Sequence, residues 1–86
     1  MFSGIVEGMA QVRRLTREGS NLHITLACSF AAELQIDQSI AHNGVCLTVV
    51  SLEEGGYTVT AVQETLDRSN LGLLQVGDYV NVERSM

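Results

Sequence analysis

Between Leu22 and Cys28 apolar residues alternate with polar or small ones: Leu22-His23-Ile24-Thr25-Leu26-Ala27-Cys28. A repeat of two is the side-chain period of a β-strand. It predicts Leu22, Ile24, Leu26 and Cys28 inward, and His23, Thr25 and Ala27 outward. Ile5 to about Leu15 also reads as a long strand, with Gly4 and Gly8 able to host a bulge or a close backbone approach. Further strands are predicted at Ser39–His42, Val45–Val50, Tyr57–Val62 and Tyr79–Glu83. Turn-forming residues separate them, at Glu18-Gly19-Ser20-Asn21, Asn43-Gly44, Glu53-Glu54-Gly55-Gly56 and Gly77-Asp78. Two stretches break the period. Ser29–Leu34 suits a short helix capped by Ser29 with Phe30 and Leu34 on one face, and Thr65–Asn70 suits a second helical turn ending near Gly72. Six short strands spaced by turns predict an all-β fold, a closed antiparallel barrel with one or two short helical turns, because closure removes exposed sheet edges.

Composition narrows the function classes. At 86 residues the chain makes one domain, and 45% apolar residues suffice for a core without disulfides or metals. No run of 18 apolar residues is long enough to span a membrane, and no basic region followed by an apolar stretch marks a signal peptide, so the expected location is the cytoplasm. The formal charge is −5, with five Arg and no Lys. A nucleic-acid partner needs a basic stripe, and the Arg13, Arg14 and Arg17 cluster reads as the solvated face of a strand end. Without Lys a Schiff-base mechanism is excluded. Cys28 and Cys46 are read as free thiols, and with only His23 and His42 for imidazole the chain lacks the spacing of a zinc site, so no metal is expected.

Val45–Val50 carries the residues with chemistry. Entered through Asn43-Gly44, it is a β-rich run in which Cys46 and Thr48 share a face, presenting a nucleophile-capable sulfur beside a hydrogen-bonding hydroxyl. The same pair also suits plain packing, since free Cys behaves as a small hydrophobe and Thr fits strands. Nothing adjacent in sequence offers Cys46 the positive charge that would lower its pKa.

Four blocks in order carry a resemblance to a known family: Met1-Phe2-Ser3-Gly4-Ile5-Val6-Glu7-Gly8; His42-Asn43-Gly44-Val45-Cys46-Leu47-Thr48; Glu64-Thr65-Leu66 followed by Asn70-Leu71-Gly72; and Gly77-Asp78-Tyr79-Val80-Asn81-Val82-Glu83-Arg84. Together they resemble the N-terminal half of riboflavin synthase, and also the related lumazine proteins. Ser3 stands where Thr is usual, and Gln63 where a Lys often precedes Glu-Thr-Leu.

The resemblance implies that residues 1–86 form a single six-stranded Greek-key barrel, where the family's chain has two in tandem. It also implies binding of 6,7-dimethyl-8-ribityllumazine and riboflavin, with riboflavin as product or ligand and no cofactor. The full-length enzyme dismutates two lumazines to riboflavin and a pyrimidinedione. By the same resemblance Gly4, Ile5 and Val6 line one wall of a flat slot and Cys46, Leu47 and Thr48 the opposite wall. Thr60, Ala61, Val62, Gln63, Glu64 and Thr65 close it, and Cys46, Ser39 and His42 are the catalytic candidates. The implied partners are the C-terminal barrel and, for the isolated barrel, a second copy in a two-fold homodimer, full-length members being homotrimers. Two alternatives stand beside this reading: a flavin- or lumazine-binding protein without catalysis, and a small oligonucleotide- or sugar-binding barrel. The second is disfavoured by the acidic charge and by having only Phe2, Phe30, Tyr57 and Tyr79 as aromatics.

Overall fold

The computed structural model describes residues 7–85. Six strands, β1 Gly8–Glu18, β2 Asn21–Ala27, β3 Ser39–His42, β4 Val45–Glu53, β5 Gly56–Ala61 and β6 Tyr79–Arg84, close into a barrel in the order β1-β2-β5-β4-β3-β6. Every pairing is antiparallel. The step from β2 to β5, with β3–β4–β5 running as a meander, gives the Greek-key order. Among the described residues, one short helix, α1 Gln63–Asp67, and single 3₁₀ turns at Ala31–Glu33 and Leu71–Leu73 complete the fold.

Alternation puts Leu22, Ile24, Leu26, Leu47, Val49, Val59, Val80 and Val82 inside. Phe30 and Leu34 from one 3₁₀ turn, Leu66 from α1 and Leu71 from the other join the same cluster. The turns therefore serve the core as much as the connections. The β3–β4 turn uses Asn43 at φ 50° and Gly44 at φ 85°. Both central residues have positive φ, the condition for a two-residue hairpin turn whose twist matches its strands.

Several details depart from the sequence expectation. Thr25 is 3% exposed rather than outward in solvent, because its hydroxyl shares a 2.8 Å hydrogen bond with Thr58 of the neighbouring strand and Arg14 lies over it. Cys28 is half-buried at the barrel end and packs only partly against the core. The bulge of β1 falls between Val12 and Arg14, not at Gly8. Val12 and Leu15 both belong inside, opposite Leu26 and Ile24, yet they are three residues apart, so one residue must be left over. Ser29 makes no cap, since the 3₁₀ turn begins only after Phe30. The helical turn expected from Thr65 starts earlier, at Gln63, supported by i,i+4 contacts of Gln63 with Asp67 and of Glu64 with Arg68. It stops where Ser69 folds back, its Oγ donating to the Thr65 carbonyl and accepting from the Leu71 N–H.

The two ends of the described chain meet. Arg84 donates from Nε to both carboxylate oxygens of Glu7, pairs with Glu7 through Nη2, reaches Glu33 through Nη1 at 3.1 Å, and stacks 4.5 Å above the Phe30 ring. The hydrogen bonds from Arg84 hold the Glu7 carboxyl below the usual carboxylate range.

Candidate functional site

On the outside of the barrel, β3 and β4 pair so that Ser39 lies opposite Thr48 and Ala41 opposite Cys46. Cys46 and Thr48 are exposed and Ser39 is half-buried, so these three share one outer face. The row through Cys46 and Ala41 continues to Glu83 on β6. Along that row Ala41 stands between Cys46 and Glu83.

The β4–β5 ladder begins only at Val49 opposite Val59. Val45–Leu47 is therefore paired to β3 alone. The Val49 N–H bonds to the Gln38 carbonyl, on the β3 side. By the alternation of an antiparallel strand, Cys46 then directs its N–H and C=O the other way, toward the segment that leaves β5 as Val62 and enters α1. Among the described residues no strand partner meets them there. An open strand edge with a thiol and a hydroxyl on its outer face is a place where a flat ligand with an amide-like rim finds both main-chain donors and acceptors.

The far side is formed by Thr60, half-buried, Val62, Gln63 and Glu64, exposed, and Thr65, half-buried. Between α1 and the β3–β4 turn lies a depression of about 280 Å³ lined by Gly44, Val45, Glu64, Thr65, Arg68 and Ser69. Gly44, Val45, Arg68 and Ser69 are not among the residues expected from the sequence to line the slot. The i,i+4 spacing of Glu64 and Arg68 is the sequence signal that could have pointed to them.

The remaining expected residues fall elsewhere. Leu47 and Ala61 turn their side chains into the core, leaving only main-chain atoms for a ligand. His42 is 2% exposed and lies within the barrel. Its Nδ1–H donates to the Ile40 carbonyl at 3.0 Å and its Nε2 accepts from the Tyr57 hydroxyl at 2.9 Å. Burial lowers its pKa to about 4. The same burial pushes the Tyr57 hydroxyl up. His42 and Tyr57 are thus a satisfied core pair on the opposite side of the sheet from Cys46. Gly4, Ile5 and Val6 lie outside the described residues. Among the described residues no three His, Cys, Asp or Glu side chains gather to hold a metal ion, and no helix is long and apolar enough to cross a membrane.

A family model described as the lumazine binding domain matches residues 3–85. The chain belongs to the lumazine binding domain family. Curated riboflavin synthases align with this lumazine binding domain along almost its whole length. The protein of Mycobacterium bovis is 44% identical over 88 residues, covering 99% of this chain and 43% of the relative. That of Photobacterium phosphoreum is 38% identical over 88 residues, covering 100% and 40%. The chain thus spans about two-fifths of the length of these relatives. Among solved structures, LumP complexed with 6,7-dimethyl-8-(1'-D-ribityl) lumazine superposes with a TM-score of 0.90, over 98% of this chain and 49% of that one, at 23% identity. LumP complexed with riboflavin gives 0.89 over 98% and 47%, at 24% identity. At that identity the likeness establishes the barrel, and the site is argued from the side chains themselves.

Proposed function

We propose that this domain is the N-terminal barrel of a cytoplasmic riboflavin synthase and binds 6,7-dimethyl-8-ribityllumazine and riboflavin on the outer face of β4. The observation that carries the proposal is the open edge of β4. Cys46 and Thr48 face outward there, beside main-chain groups that β5 does not occupy. A flat ring lies across Cys46 and Thr48, and Thr60–Thr65 closes one side.

The reaction of the whole enzyme joins two lumazines, one losing a proton from its C7 methyl group and the other accepting a nucleophile at C7. One barrel provides one slot, so turnover needs the C-terminal barrel to present the second ring. Holding two reactants in register can supply roughly 7–11 kcal/mol without a metal or organic cofactor. Cys46 contacts the ring. Ser39, opposite Thr48, is the hydroxyl best placed to help with proton transfer, and His42 acts from the core by holding β3 in place.

Titrating the purified chain with riboflavin and following flavin fluorescence tests the reading. Saturable binding that weakens by about 1–3 kcal/mol in Thr48→Val supports it. An unchanged affinity removes Thr48 from the site. A binding-only role differs in turnover, which conversion of ribityllumazine by the chain rejoined to its C-terminal half reads directly.

A further inference from the structure

Beyond the slot itself, three side chains form a continuous hydrogen-bonded chain on the outer face. His23 Nε2 lies 2.9 Å from Glu18 Oε1, and His23 Nδ1 lies 2.8 Å from Thr60 Oγ1. The strands build this contact. His23 stands opposite Thr60 in the β2–β5 ladder and opposite Thr16 in the β1–β2 ladder, and Glu18 follows two residues later on β1. Thr60 is also the residue next to Val59, whose partner Val49 is preceded by Thr48. Thr60 and Thr48 therefore flank the same cross-strand pair and project from the same outer face. The Glu18-His23-Thr60 chain ends at the rim of the proposed slot.

With the imidazole neutral, the chemistry of the three groups fixes the direction of each hydrogen bond. A carboxylate only accepts, so Glu18 takes the Nε2–H. In the neutral imidazole the other nitrogen is then an acceptor, and it takes the Thr60 proton. With its only hydrogen committed to His23, Thr60 can meet a ligand solely as an acceptor. A free threonine hydroxyl rotates and serves either role.

We propose that His23, oriented by Glu18, is a positioning residue that sets Thr60 as an obligate acceptor for an N–H or O–H donor of the bound flavin or lumazine. This rests on the binding reading above. The donor is the ring imide N–H or a hydroxyl of the ribityl chain. His23 touches no ligand and acts only through Thr60.

Riboflavin titrations of wild type, His23→Leu, His23→Gln, Thr60→Val and the double variant test it, with thermal unfolding recorded for each. The Leu and Val variants should each weaken binding roughly three- to tenfold, the range of one hydrogen bond, and the double variant should be no weaker than Thr60→Val alone. Gln offers an amide oxygen to Thr60 and an amide N–H to Glu18, so His23→Gln should recover most of the affinity. Nitrogen NMR of the His23 ring should show the proton on Nε2, free and bound. Titration with 3-methylriboflavin, which lacks the imide N–H, and with lumiflavin, which lacks the polyol, identifies the donor: one of them should no longer distinguish wild type from Thr60→Val.

Failure of wild type to bind riboflavin would overturn the binding reading and this inference with it. Wild-type binding that His23→Leu leaves unchanged, additive losses in the double variant, a proton on Nδ1, or an unaltered wild-type preference with both analogues would overturn this inference alone. Should His23→Leu unfold, the Gln and Val variants and the ring tautomer still decide.

Discussion

His42 and Tyr57 meet inside the barrel with both imidazole nitrogens satisfied, and this makes the pair a sensor of acid. The ordinary His pKa of 6.5 falls to about 4 here because burial disfavours the charged ring. A depressed folded-state pKa means that the unfolded chain binds the proton more readily. The stability is therefore complete above pH 6.5 and drains away as pH falls toward 4. Urea unfolding at pH 7.5 and pH 5 should differ by roughly 2 kcal/mol from this residue. Tyr57→Phe removes the donor to Nε2 and should cost about 1–3 kcal/mol at pH 7.5. The two thiols should behave differently. Cys46 is exposed, whereas partial burial raises the Cys28 thiol above its ordinary value. Alkylation at pH 8 should be fast at Cys46, slow at Cys28, and suppressed by riboflavin at Cys46 only. Equal rates would contradict the placement. The polar residues were the hardest to read from the chain alone. His42 is accommodated inside the barrel and Thr25 is buried on its outer face because Tyr57 and Thr58 supply their partners, and both partners arrive from β5, at a distance in sequence that alternation does not reveal.

At the level of the element, the strands themselves were legible, because Leu22-His23-Ile24 and Val45-Cys46-Leu47 each carry a clean period of two. What the period could not show was where a strand loses its neighbour. β4 keeps β3 from Val45 onward but gains β5 only at Val49, and a second bulge between Val49 and Ser51 leaves Val50 exposed. The β1 bulge was hidden in the spacing of Val12 and Leu15, two apolar residues that a strict alternation would send to opposite faces. Gly56 shows how tightly β5 is fitted to β2: a Cβ there would lie 2.8 Å from the Leu26 carbonyl oxygen. Gly56→Ala must push one strand from the other and should cost about 1–3 kcal/mol in thermal or urea unfolding. Gly44 differs, having open space around it and a φ of 85°, so Gly44→Ala tests the turn conformation alone and should cost about 1 kcal/mol.

For the molecule as a whole, the proposed pairing of two similar barrels implies that a lone barrel exposes a surface made to meet a near-copy. Cys46, Thr48 and Val50 are all exposed on β4. Sedimentation should show a two-fold dimer, and replacing Val50 with Lys should shift it toward monomer. A monomer at every concentration would refute the pairing through this face. The Glu7–Arg84 contact has a separate, topological consequence. Because the first and last described strands are clasped together, with the Arg84 N–H also donating to Glu7, the order in which the strands are made is not essential to how they pack. A short linker across this seam, with new ends opened in the Glu54-Gly55 turn between β4 and β5, should give a rearranged chain with the same far-UV spectrum and cooperative melting. The barrel is in effect a ring in which the first and last described strands are already neighbours.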